Sequence, residues 1–194
     1  MKKITLLFVL FSCSIFAQKK KPVYDDFGGQ STIDWWSYPP GESEFTQNET
    51  DPIKNSNSVG LFYKNKNGNQ ELYHGFGATF NENFKFKDKT RFTVRVYVSN
   101  ISAITSLNNK TIKLILKNSE DESNIAYIEK TFETGQWQTI VFDLNGKLDQ
   151  NNKPILKNKE FNTVAIEILS GTRTPGKIYI DDFSFGNDLK EYAD

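Results

Sequence analysis

Phe92-Thr93-Val94-Arg95-Val96-Tyr97-Val98 is the stretch whose pattern decides the fold class. In an extended chain Phe92, Val94, Val96 and Val98 fall on one side, and Thr93, Arg95 and Tyr97 fall on the other. A period of two with apolar residues on one side marks a half-buried strand. Thr111-Ile112-Lys113-Leu114-Ile115-Leu116 does the same, with Ile112, Leu114 and Leu116 sharing a face. Outward from these two, further alternating runs occur at 58–63, 72–80, 125–132, 139–144, 163–169 and 177–185. Turn-forming clusters at 65–69, 118–124 and 151–154 separate several of them. No segment carries the spacing of an amphipathic helix of three turns. Strands at this spacing predict an all-β, antiparallel two-sheet sandwich of jelly-roll type. Nothing in composition splits the chain, so residues 18–194 are expected to form one domain, and a monomer.

The first residues have a different logic. Lys2 and Lys3 precede an apolar run over 4–11 broken only by Thr5, and a small residue, Ala17, precedes polar Gln18. Charge, apolar stretch and small residue in that order predict a secretory signal peptide over 1–17. The run is shorter than the roughly 20 residues that cross a bilayer, so no transmembrane span is expected. The protein is therefore expected to be exported, to the periplasm, the cell surface or the medium. Cys13, the single cysteine, resembles the acylated cysteine of a lipoprotein signal, which would anchor the protein instead. Phe11 before it and the apolar Ile15-Phe16-Ala17 after it disfavour that alternative.

Cleavage after Ala17 leaves a chain without cysteine, which must be held by its core rather than by disulfides. The 24 basic residues fall to 22 against 24 acidic ones when Lys2 and Lys3 are lost. The charges alternate in sign with no basic stripe, which argues against a nucleic-acid partner.

Motifs at the two ends of the chain carry a family resemblance. Tyr24-Asp25-Asp26-Phe27-Gly28-Gly29 with Trp35 and Trp36 opens the domain, and Lys177-Ile178-Tyr179-Ile180-Asp181-Asp182-Phe183-Ser184-Phe185 closes it. Between them lie Asn55-Ser56-Asn57-Ser58-Val59-Gly60 and Gly135-Gln136-Trp137, the latter leading into Asp143-Leu144. From about residue 23 to 186 this order resembles the galactose-binding-like jelly rolls found as carbohydrate-binding modules. It is similar in particular to those attached to secreted polysaccharide-degrading enzymes of the Bacteroidetes. The resemblance implies a polysaccharide or oligosaccharide partner, and a structural calcium where the first and last strands meet. Asp26 and Asp182, with Asn55 from the 55–58 loop, would supply the hard oxygen ligands that calcium requires. Many such modules carry a metal-ligating Glu directly after the first Asp-Phe, where this chain has Gly28. Gly-Gln-Trp at the start of a strand is a fold signature of the same modules, and assigns Trp137 to the core.

Sugars present flat apolar faces rimmed by hydroxyls, so their sites combine exposed aromatic rings with polar groups. Trp35-Trp36-Ser37-Tyr38 is the richest candidate, and alternation sends Trp35 and Trp36 to opposite faces. Tyr73-His74 is a second alternating pair, and Arg95 and Glu71 offer hydrogen bonds. Catalytic signatures are few. His74 is the only histidine, which removes multi-histidine zinc sites, and no Gly-x-Ser-x-Gly elbow is present. A non-catalytic binding protein is the expectation. The alternatives are a small glycoside hydrolase, a lyase built on Tyr73, His74 and Arg95, or a structural envelope component without a sugar site.

Overall fold

The computed structural model describes residues 23–28, 31, 33–55, 58–65, 73–86, 91–107, 110–121, 126–145, 159–170, 172 and 174–186. The expected signal peptide, Cys13 and Glu71 lie outside them. Eleven strands are described: β1 Val23–Asp25, β2 Trp35–Tyr38, β3 Ser43–Thr50, β4 Ser58–Lys64, β5 Gly75–Lys85, β6 Arg91–Val98, β7 Thr111–Lys117, β8 Ala126–Thr131, β9 Trp137–Asp143, β10 Glu160–Ile168 and β11 Gly176–Gly186. A single helical turn, α1 Ser102–Thr105, follows β6. Among the described residues no helix is long and apolar enough to cross a membrane.

All strand pairs are antiparallel and form two sheets. One runs β3-β4-β11-β6-β9 with β1 also on β11, and the other β2-β5-β10-β7-β8. This is the expected all-β sandwich. In β6 the alternation is realised residue by residue: Phe92, Val94, Val96 and Val98 are buried, and Arg91, Thr93, Arg95 and Tyr97 face outward. Ile112, Leu114 and Leu116 of β7 point into the same core from the facing sheet.

Aromatic rings fill much of the space between the sheets. Trp35 packs edge-on against Phe183, with centroids 5.0 Å apart, and lies against Phe27, Phe45 and Phe76. Further along the core, Phe185 stacks on Phe92 at 5.0 Å and meets Phe84 edge-on at the same distance. Such pairs add about 0.5–1.5 kcal/mol each beyond the apolar area they remove from water.

β11 has two successive neighbours on one edge. Residues 176–180 pair with β4 and residues 183–185 with β1. The changeover falls at Asp181-Asp182, where the pairing with β6 also shifts register and Asp182 takes a left-handed φ of 47°. The gap between the end of β1 and the start of β4 leaves a surface pocket beside those two carboxylates.

Candidate functional site

The outer face of the five-stranded sheet gathers aromatic and polar side chains from β2, β7, β8 and β10 around glycines of β5. Successive pairings put Trp36, Gly77, Ala165, Ile115 and Tyr127 in one row across it. Tyr38, Gly75, Glu167, Lys113 and Glu129 form the adjacent row. With strands about 4.8 Å apart, each row is about 19 Å long.

Two glycines shape the β2 side of this face. A methyl group on Gly77 would lie 2.7 Å from Cη2 of Trp36, and one on Gly75 would lie 2.7 Å from the Tyr38 hydroxyl. The far ends of both side chains therefore rest on β5, lying over the sheet rather than standing away from it. The two rings are 5.7 Å apart and inclined by 51°. Tyr38 reaches a strand further, its hydroxyl donating to Oε1 of Glu167 at 3.1 Å. Burial, then the negative charge of Glu167 and the hydrogen bond to it, push that hydroxyl well above the ordinary tyrosine range, so it remains a donor.

Glu167 organises the middle of the face. It is only 6% exposed, and its second oxygen accepts from Lys113 Nζ at 3.1 Å. Burial alone would lower the lysine, but the hydrogen bond and charge of Glu167, with Glu129 at 3.7 Å, hold it above the usual range. The ammonium sits 5.3 Å from the centre of the Tyr73 ring and 5.8 Å from that of Tyr127. These two tyrosines are 61% and 38% exposed. A hydrogen-bonded and cation–π chain thus runs from Tyr38 through Glu167 and Lys113 to Tyr73 and Tyr127.

Of the expected sugar-contacting residues, Trp36, Tyr38 and Tyr73 share this face. Two others require correction, and Arg95 lies on the other sheet. Trp35 takes the inward position of its alternating pair, is 8% exposed, and donates from Nε1 to Oδ2 of Asp25 at 2.7 Å. His74 has no exposed surface and places Nε2 3.3 Å from Glu42, while its backbone is held by Ser170. Neither ring is available for stacking. Arg95 lies on the outer face of the other sheet, so Tyr73, His74 and Arg95 do not converge on one site.

The expected metal residues divide in the same way. Asp26 and Asp182 do line one pocket of about 380 Å³, with Gly28, Ser58, Arg95 and Asp181. Asn55 does not; it is exposed, in a turn whose backbone is bonded to Asp51. Arg95 Nη1 lies 3.2 Å from Asp182 and 3.6 Å from Asp181, and so supplies the positive charge that the acidic pair was expected to draw from calcium. Burial, and then the charges of Asp182 and Asp26, push Asp181 up to about 6. Among the described residues no group of three or more His, Cys, Asp or Glu side chains is placed to hold a metal ion. Of the three residues expected to hold calcium, Asp26 and Asp182 line one pocket and Asn55 does not line it.

Trp137 is also corrected. It lies outside the core on the outer face of the six-stranded sheet, half-buried, 5.8 Å from Tyr97 and 5.2 Å from the Arg95 guanidinium.

The fold is that of an antiparallel jelly-roll sandwich. No family model and no curated protein sequence matches the chain. Solved structures do match in shape. A variant of the carbohydrate-binding module CBM29-2 superposes with a TM-score of 0.55 at 9% identity, covering 89% of this chain and 98% of that one. The module CBM29_1 from Piromyces equi gives 0.52 at 8%, covering 89% and 95%. An exo-β-agarase gives 0.57 at 8%; there 88% of this chain matches about a quarter, 26%, of the enzyme.

Proposed function

We propose that this is an exported, non-catalytic carbohydrate-binding protein that holds a stretch of polysaccharide across the outer face of its five-stranded sheet. The observation that carries this reading is the pair of rings, Trp36 and Tyr38, resting on a floor of Gly77 and Gly75. Rings lying over a sheet offer flat apolar faces to sugar rings. Glu167, Lys113 and Glu129 stand alongside with acceptors and donors for the hydroxyl rim. Tyr73 and Tyr127 provide further apolar contact. That full-length structural likenesses include carbohydrate-binding modules supports the same reading. A glycosidase or lyase draws no support from Tyr73, His74 and Arg95, which lie apart.

Isothermal titration or affinity electrophoresis against soluble β-glucans, xylans, mannans and alginate tests this. Dissociation constants on the order of micromolar to millimolar are expected. Trp36→Ala and Tyr38→Ala should each lose about 1–3 kcal/mol of binding. A wild-type protein that ignores every glycan would leave the structural envelope component as the better account.

A further inference from the structure

We infer that the opposite, outer face of the six-stranded sheet is a second saccharide-contacting surface, so that one molecule bridges two polysaccharide chains. The inference rests on the carbohydrate-binding reading above but concerns different residues. Successive pairings align Thr46, Leu61, Tyr179, Tyr97 and Trp137 in a row across that face. Tyr97 lies 6.1 Å from Tyr179 and 5.8 Å from Trp137, so three rings form a continuous strip. None of the three belongs to the core, and each keeps part of its surface in water. Three neighbouring rings that each keep part of their surface in water offer apolar contact on an outer face.

Hydrogen-bonding capacity adjoins the strip. Asp181, Arg95 and Thr139 pair in a row two residues along the strands from Tyr179, Tyr97 and Trp137. Arg95 and Asp181 also line the pocket shared with Asp26, Ser58 and Asp182. Carboxylates accept from sugar hydroxyls, and the guanidinium donates to them. Three carboxylates against one guanidinium leave this end of the face negative, which disfavours acidic glycans and points to an uncharged chain. A protein partner fits less well. Exposed Tyr63 stands in the adjacent row beside Lys177, and Thr46, Thr139 and the charged pocket border the strip, whereas protein interfaces need a broad apolar centre depleted of charge. Because the two outer faces of a sandwich point in opposite directions, ligands on both do not compete.

The test uses the full chain and uncharged polysaccharides: soluble β-glucan, xylan and galactomannan, and oligosaccharides cut from them. Wild type should raise light scattering of the long polymers by cross-linking them, and titrate with two oligosaccharides per molecule. Tyr97→Ala with Tyr179→Ala should leave one site and abolish cross-linking. Trp36→Ala with Tyr127→Ala should do the same from the other side. Either pair should weaken binding to the long polymer about tenfold or more, through lost avidity. Should the Tyr97 and Tyr179 variant unfold, acetylation of tyrosines in the wild type decides: saturating oligosaccharide should protect Tyr97 and Tyr179. One site per molecule, no cross-linking and no protection of these tyrosines overturns the inference and leaves the first face standing. Binding abolished only by the Tyr97 and Tyr179 pair removes the first face and overturns bridging. No binding to any glycan overturns both.

Discussion

Replacing each of two adjacent tryptophans by alanine should separate folding from binding. Trp35 is almost wholly buried, meets Phe27, Phe45, Phe76 and Phe183, and donates to the buried carboxylate of Asp25. Truncating a core aromatic costs about 3–5 kcal/mol. Taking a donor from a buried carboxylate adds about 1 kcal/mol, since Asp25 keeps the Phe27 amide and Ser31. The sum, about 4–6 kcal/mol, is a large part of the roughly 5–15 kcal/mol that holds a domain folded. Trp36 buries only part of its surface, against Gly77 and Tyr38, so Trp36→Ala should cost about 1 kcal/mol. With a urea slope of about 2 kcal/mol per molar, the two unfolding midpoints should lie about 1.5 M or more apart. Circular dichroism in urea measures this directly. Trp36→Ala should meanwhile lose sugar binding at full sheet signal. Equal midpoints, or a lower one for Trp36→Ala, would refute the assignment of Trp35 to the core and Trp36 to the face.

Other expectations follow from the same geometry. Gly77→Ala would bring a methyl group within 2.6 Å of the Val164 carbonyl oxygen and 2.7 Å of Trp36, costing about 1–3 kcal/mol of stability and weakening sugar binding; a variant unchanged in melting and titration would show that the ring does not rest there. Asp181 binds its proton more tightly folded, near 6, than unfolded, near 3.8, so its stabilising contribution is present at low pH and is lost as pH rises through 6. Asp181→Asn should therefore gain on wild type between pH 4 and 7, by no more than about 3 kcal/mol, and denaturant melts showing a gain that shrinks with pH would contradict the charge crowding. Because Arg95 already bridges Asp181 and Asp182, a chelator should leave the melting temperature unchanged while Arg95→Met lowers it; a chelator-induced drop restored by calcium would show that the ion binds there despite the guanidinium.

The sandwich was legible because its central strands bury one face. Alternation in 92–98 and 111–116 survives any detail of packing, and both runs are strands in the structure. β3 was not legible. Its residues Ser43–Thr50 are mostly polar and half-exposed at a sheet edge, so no apolar side stands out. At the site, alternation showed that Trp35 and Trp36 part company, but which one enters the core depends on the facing sheet. Lys113 and Tyr127 could be read as outward-facing, and Glu167 as opposite Ile166. Nothing local reveals that β7, β8 and β10 lie in the same sheet as β2. Trp137 misled because a strand-initial tryptophan is equally at home on an outer face, where Tyr97 meets it.

β11 has a kinetic consequence. It is the partner of β4, β6 and β1, whose pairings reach back more than a hundred residues for β4 and further still for β1. Until residues 176–186 have emerged from the ribosome, β4 and β6 have no strand between them, and the six-stranded sheet cannot close. Pairings this distant in sequence impose a high contact order, and proteins dominated by them fold in milliseconds to seconds rather than microseconds. A nascent chain lacking β11 cannot close the six-stranded sheet, and a truncation before Gly176 would leave two open sheet edges, the kind that pair with other chains.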